Sequence, residues 1–222
     1  EKEKASLSHK LCDRDAFLFC KKGGVLKMSR LSKRNGLILG LVVFVITIAG
    51  IAKNGFAMVS YSTSIALDTN NYPHISYFDE TNWDLKYAKW TGSGWDIQTV
   101  DSSGDVGMYT SITLDINNYP HISYYDKTNG NLKYAKWTGS SWSKQTVDSA
   151  GNVGEYTSIA LDTNNNPHIS YYDQTNNNLK YTKWNGSIWV TQTVDSGGKH
   201  TSIALDTNNN PHISYRTNYD LK

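Results

Sequence analysis

Four histidines recur at one place in a repeating motif: His74, His121, His168 and His212. Imidazoles ringed around a channel are suitable metal ligands if the fold brings them close together. Each follows directly on a turn, however, and that place favours a hydrogen bond that caps a hairpin or joins two sheets. The preceding turns carry Asp and Asn at alternate positions, as in Asp162, Asn164 and Asn166, which overlaps the start of a calcium loop. Such a loop also needs Gly at its sixth position and a bidentate Glu at its twelfth. Here the sixth residue is Pro167, and the fifth is aromatic in two copies, Tyr72 and Tyr119. An Asx-stabilised hairpin turn accounts for the pattern better. No metal site and no cofactor are expected.

Nucleophilic catalysis needs Ser, Thr or Cys beside a base that a third group orients. Candidates are plentiful, but they occur in every copy of the motif, as a structural unit would have them. Carboxylates recur as Asp68, Asp115, Asp162 and Asp206, and again as Asp79, Asp126 and Asp173; a glycosidase would need one singular pair. The unmatched residues, such as Trp83, Met108 and Arg216, form no recognisable set. No catalytic residue is assigned. What recurs with binding chemistry is an edge set. It comprises Asp79, Asp126 and Asp173, then Lys86, Lys133 and Lys180 in the next strand, and Trp95, Trp142 and Trp189 beside a Gly-Ser turn. Aromatic faces stack on the apolar face of a sugar ring, while Asp and Lys bond its hydroxyls. These nine residues are the candidate ligand-binding set. Packing between sheets is the competing role, above all for Trp90, Trp137 and Trp184 on the strand itself.

The elements that must position these residues follow from self-similarity. The stretch from Tyr109 matches the stretch from Tyr156 at 32 of 43 positions, with a period of 47 residues that falls to 44 between His168 and His212. Each copy reads as four short strands. TSIALD alternates large apolar with smaller residues. PHISYYD starts on Pro, where a missing N–H does least harm. LKYTKW and WVTQTVD follow after Asn-rich and Gly-containing turns. Four antiparallel strands in a tandem unit of this size predict an all-β fold, a β-propeller of four-stranded antiparallel blades. The repeats run over 61–108, 109–155 and 156–200, with a partial copy at 201–222, so about 3.5 blades are present. Propellers close with about four or more blades. The expectation is therefore a C-terminal truncation of one to four blades, the alternative being association of partial rings.

The chain divides sharply in composition. Among its 222 residues the net charge of +2 hides an excess of basic residues before residue 58 and of acidic ones after it, 16 against 11. The acidic repeats argue against a nucleic-acid partner. All 7 Trp and 15 Tyr lie in the repeats, and both Cys, Cys12 and Cys20, lie before them. Arg30, Lys33 and Arg34 precede an apolar run from Gly36 to Ala52, followed by Gly55, Phe56 and Ala57. This order marks 28–57 as a secretory signal peptide, or as a membrane anchor if 36–52 stays uncleaved. The repeats, 58–222, are thus expected outside the cell or anchored to its surface. Residues 1–27 precede the first Met, Met28, and are read as an untranslated or disordered leader.

The motif SIALDTNNNPHISYYD…NLKYAKW…W over 61–222 resembles that of exported prokaryotic repeat proteins placed near the sialidase-like and fucose-lectin-like β-propellers. The resemblance implies a propeller and, as partners, glycans or cell-surface polymers bound between blades. Sialidases clamp a carboxylate with three Arg, whereas Arg216 is the single Arg after residue 57. The S-x-D-x-G-x-T-W box and the pocket Arg of fucose lectins are absent too. A non-enzymatic, exported binding module is the leading expectation. A glycosidase or lyase with its catalytic residues in further blades, or a plain adhesion scaffold, are the alternatives.

Overall fold

The computed structural model describes residues 21–22, 25–26, 62–217 and 220–222. The chain divides into two units, Glu1–Asn54 and Gly55–Lys222. In the first, β1 (Lys21–Lys22) pairs with β2 (Val25–Leu26). The export segment at 28–57 lies outside the described residues. Among the described residues, no helix is long and apolar enough to cross a membrane.

Among the described residues the second unit is all-β, built from fourteen strands. Blade I contains β3 (Thr63–Leu67), β4 (Pro73–Asp79), β5 (Asp84–Trp90) and β6 (Trp95–Asp101). Blade II contains β7 (Val106–Leu114), β8 (Pro120–Asp126), β9 (Asn131–Trp137) and β10 (Trp142–Asp148). Blade III contains β11 (Val153–Leu161), β12 (Pro167–Asp173), β13 (Asn178–Trp184) and β14 (Trp189–Ser196). Blade IV begins with β15 (Lys199–Leu205) and β16 (Pro211–Arg216), and Leu221 bridges back to Arg216. Each sheet is a sequential antiparallel meander, and the first strands β3, β7, β11 and β15 lie side by side. This is the propeller architecture, with about three and a half blades.

Local chemistry explains the strand ends. Asp68 Oδ1 accepts the backbone N–H groups of Asn70 and Tyr72, each at 2.8 Å. Asp115, Asp162 and Asp206 do the same in their copies. The fourth turn residue is Asn71, Asn118, Asn165 or Asn209, all at φ near +62°, a region that Asn tolerates because its short amide bonds locally. The turn carboxylates are thus engaged by their own backbone.

Burial follows the flanks. β8 and β12 are buried along their whole length, on both faces, because a blade lies on either side. β4 carries the same kind of sequence, yet burial there alternates. Between blades I and II the core gathers Leu85, Tyr87, Val106, Ile122 and Tyr124. Between II and III the equivalent layer includes Leu132, Tyr134, Val153, Ile169 and Tyr171.

The blades begin upstream of the sequence-read boundaries. β7 and β11 start at Val106 and Val153, before Tyr109 and Tyr156, because each opens with two register shifts. Gly107 (φ +109°) and Tyr109 (φ +53°) make these bulges, and Gly154 and Tyr156 repeat them. A bulge redirects the side chains around it: Met108 and Glu155 keep partners in Tyr125 and Tyr172, while the residues on either side of each leave the ladder.

Candidate functional site

The recurring histidines sit inside their own blades. His121 Nδ1 meets the Tyr134 hydroxyl at 2.6 Å, and its Nε2 lies 3.7 Å from Asp115 Oδ2. His74 with Tyr87 and Asp68, and His168 with Tyr181 and Asp162, repeat the arrangement. Burial, reinforced by Lys136, lowers the His121 pKa to about 4 against the pull of Asp115. Burial likewise leads the lowering at His74 and His168. These rings are neutral struts between a turn and the third strand. Among the described residues, no group of three His, Cys, Asp or Glu is gathered as a metal would need.

The nine residues of the edge set fall into two regions. Asp126 caps the β8–β9 turn, taking the Asn129 backbone N–H at 3.0 Å and its amide at 2.9 Å. Asp173 does so with Asn176, and Asp79 with Thr81 and Asn82. Lys133 lies 4.0 Å from Asp126, but its closer contact is Asp101 of the preceding blade, at 2.6 Å. Asp101, 1% exposed, also accepts the Tyr124 hydroxyl at 2.7 Å and Lys144 at 3.1 Å. Burial alone would raise its pKa, but these bonds outweigh that cost and hold the carboxyl far below the usual range. Lys180 repeats the lock with Asp148 and Tyr171. Lys86 instead pairs within its blade, with Asp84 at 3.3 Å, where the other copies have Asn131 and Asn178.

The tryptophans stand at the far end of the third strand. Trp142 meets Trp137 edge to face at 5.5 Å and Tyr87 of blade I at 5.2 Å, and its indole N–H reaches Gln98 at 3.0 Å. Trp189 repeats this with Trp184, Tyr134 and Gln145. Trp95 pairs with Trp90 at 5.5 Å. Asp126 and Trp142 lie across from the two ends of β9, about 20 Å apart for a seven-residue strand. The fold brings Asp and Lys together and keeps Trp apart from both.

A different set converges where the bulges redirect the chain. An open cleft of about 400 Å³ between blades II and III is lined by Met108, Tyr109, Tyr125, Lys127, Asn152, Glu155 and Gln174. Tyr109 packs at 4.6 Å from Tyr156 and 6.1 Å from Tyr125. The Tyr125 hydroxyl donates to Asn152 Oδ1, and the Asn152 amide donates to Gln174. Lys127 bonds Asp105 at 3.0 Å. Burial raises the Glu155 carboxyl above the usual carboxylate range, with Lys199 opposing. Burial and then the Glu155 charge push the Tyr109 phenol up. Two phenol rings, a carboxylate, an ammonium and two amides can stack on and bond a polyhydroxylated ring.

Of the unmatched residues Trp83, Met108 and Arg216, this set includes Met108. The signal was available in the sequence. Met108, Glu155 and Lys199 occupy one repeat position, Glu80, Lys127 and Gln174 another, and Asp105 and Asn152 a third. The polar side chains of the cleft differ between otherwise alike copies, while its Tyr109 and Tyr125 rings recur as Tyr156 and Tyr172.

No family model matches the sequence, and no curated protein matches it. Among solved structures, the fold is similar to a triple arginine-to-alanine mutant of AofleA from Arthrobotrys oligospora. That match has a TM-score of 0.55 and 17% identity over 71% of this chain and 51% of the other. It is also similar to an ulvan lyase of a new polysaccharide lyase family, bound to a chain of GlcA and Rha3S. There the TM-score is 0.52 and the identity 15%, over 72% of this chain and 50% of the other. A fucose lectin from Kordia zhangzhouensis is matched along 100% of its length and 61% of this chain, at 22% identity and a TM-score of 0.43. This chain spans about half the length of AofleA and of the ulvan lyase. The likeness to AofleA and to the ulvan lyase is one of fold.

Proposed function

We propose that the protein is an exported carbohydrate-binding module whose ligands sit in clefts between neighbouring blades. The observation that carries this reading is the blade II–III cleft. Its Tyr109 and Tyr125 rings offer stacking faces, and Lys127, Asn152, Glu155 and Gln174 surround them with donors and acceptors. Ligand sites of this kind combine apolar walls with a few placed polar groups. The fold likeness to a polysaccharide lyase supports the choice of glycans over other ligands. Export rests on the basic, apolar and small-residue order of 28–57, and cell fractionation tests it.

The binding test is affinity electrophoresis against galactan, xylan, laminarin, polygalacturonate and ulvan, followed by calorimetry on the best ligand. Retardation by at least one polymer is expected, weakened by Glu155→Met, which installs the residue that blade II carries at that position. Retardation by none of them sinks the reading. Incubation with the same polymers separates binding from catalysis: release of reducing ends or of unsaturated uronates would replace the module by a glycosidase or lyase.

A further inference from the structure

The turn between β4 and β5 departs from its two sister turns in one residue of unusual conformation. Trp83 holds φ +61°, where blade II has Gly130 at φ +69° and blade III has Asn177 at φ +54°. Gly reaches this region freely and Asn tolerates it, whereas a bulky side chain there is strained. The indole is also 59% exposed. An aromatic side chain held in a strained turn and turned to solvent contributes little to the fold. Strain of that kind collects where a ligand is met.

Its place is the seam between blades I and II. The Trp83 carbonyl accepts the Val106 N–H at 3.0 Å, just as the Gly130 carbonyl accepts that of Val153 at 2.9 Å. A Cβ on Gly130 would lie 3.4 Å from Asn152 Cα, a residue of the II–III cleft. The repeat positions that match Gly130 and Asn152 in blade I hold Trp83 and Asp105. Here a second departure appears. In blade II the Tyr125 hydroxyl satisfies Asn152 Oδ1. The matching ring in blade I is Phe78, which has no hydroxyl. Asp105 Oδ2 is bonded by Lys127, while Oδ1 is buried without a partner among the described residues. A buried acceptor left without its donor is uncommon and asks for an explanation.

We infer that the seam between blades I and II opens a cleft matching that between II and III and takes an uncharged pyranose, its C–H face on the Trp83 indole and one hydroxyl donating to Asp105 Oδ1 where Phe78 leaves the donor missing. The absence of net charge follows from the lining. By repeat position Glu80, Asp105 and Lys127 are its charged groups among the described residues, and Asp105 already neutralises Lys127. An anionic sugar would meet the remaining carboxylate of Glu80. This inference rests on the carbohydrate-binding reading and adds a second site and its sugar class.

Two variants test it, each borrowing the residue of a sister blade: Trp83→Asn, as at Asn177, and Phe78→Tyr, as at Tyr125. Kd for galactan, xylan and laminarin is measured by calorimetry alongside the melting temperature. The wild type binds at least one of these neutral polymers, and each variant raises its Kd about tenfold. The melting temperature stays within about 3 °C of wild type or rises, because both variants restore a turn or bond already used elsewhere in the chain. Unchanged Kd in both variants overturns the inference, as does a loss of binding matched by a melting temperature lower by 5 °C or more (about 2 kcal/mol). Binding of polygalacturonate or ulvan alone, unaffected at residues 78 and 83, overturns this site and leaves the carbohydrate reading standing. A wild type that binds no polymer removes both.

Discussion

Acidification below neutrality should destabilise the blades through their histidines. His121 has an ordinary pKa of 6.5 in the unfolded chain and about 4 in the blade. Between these values the unfolded chain binds a proton that the folded one refuses, so stability falls as pH falls. The contribution is complete above pH 6.5 and is lost progressively towards pH 4. At pH 5 the two pKa values give a loss of about 2 kcal/mol from His121 alone, approaching about 3 kcal/mol by pH 4. For a folded unit of this size, each kcal/mol moves the melting temperature by about 2–4 °C. His121 alone then accounts for about 4–8 °C between pH 7.5 and pH 5. His74 and His168, lowered in the same direction, add to it. Differential scanning calorimetry at pH 7.5, 6 and 5 in constant ionic strength reads the shift, and imidazole proton resonances read the three pKa values. A melting temperature that is flat or rises on going to pH 5, or a His121 that titrates near 6.5, would refute the reasoning.

Removing the lock between blades I and II by Asp101→Ala leaves Lys133 and the Tyr124 hydroxyl without their shared acceptor. Stability should drop by about 3–5 kcal/mol in urea titrations; a drop below 1 kcal/mol would mean the lock is idle. Gly154→Ala places a Cβ 2.7 Å from Leu132 Cα at φ +107° and should cost at least about 3 kcal/mol, whereas Gly94→Ala, with nothing within 4 Å, should be near neutral. Equal midpoints for those two variants would contradict the bulge geometry. Trp142→Ala removes a half-buried ring between Tyr87 and Trp137 and should cost about 3 kcal/mol. Calorimetry under native conditions should find polysaccharide affinity unchanged, and a selective loss of affinity with full stability would return Trp142 to the binding site.

The framework was legible because it repeats. The period, the four strands per copy and the Asx turns at Asp68, Asp115 and Asp162 follow from residue types whose local chemistry allows few alternatives. The Lys and Trp positions were harder to read for a physical reason. Lys133 and Trp142 each have the chemistry to bind a sugar, and only the arrangement of blades decides that Asp101 takes the ammonium and Tyr87 the indole. Such contacts cross 32 and 55 residues of sequence, and no local pattern encodes them. The bulges were missed as well. Val-Gly-Met and Val-Gly-Glu look like the ends of connections, yet their glycines sit against Leu85 and Leu132 inside the first strand of each blade.

The same comparison of copies separates frame from function. A residue needed between every pair of blades, as Asp101 and Asp148 are, or within every blade, as His74, His121 and His168 are, must recur. A residue that differs from copy to copy at an inter-blade position is free of that demand. The cleft positions meet this criterion, and they differ in charge as well as in shape. Blade II–III presents Lys127, Asn152 and Glu155, and the matching positions one repeat earlier hold Glu80, Asp105 and Met108. At blade III–IV, Lys199 lies 5.4 Å over the Tyr172 ring and His200 packs 4.3 Å from Tyr156. Equal pockets would multiply one weak affinity through avidity on a uniform polymer. Clefts that grade from acidic to basic along the ring would instead read different residues of one chain, or different chains. A uniform polymer would then fill one cleft at a time, with a stoichiometry near one in calorimetry, and the gain from further clefts would appear only on a mixed polysaccharide.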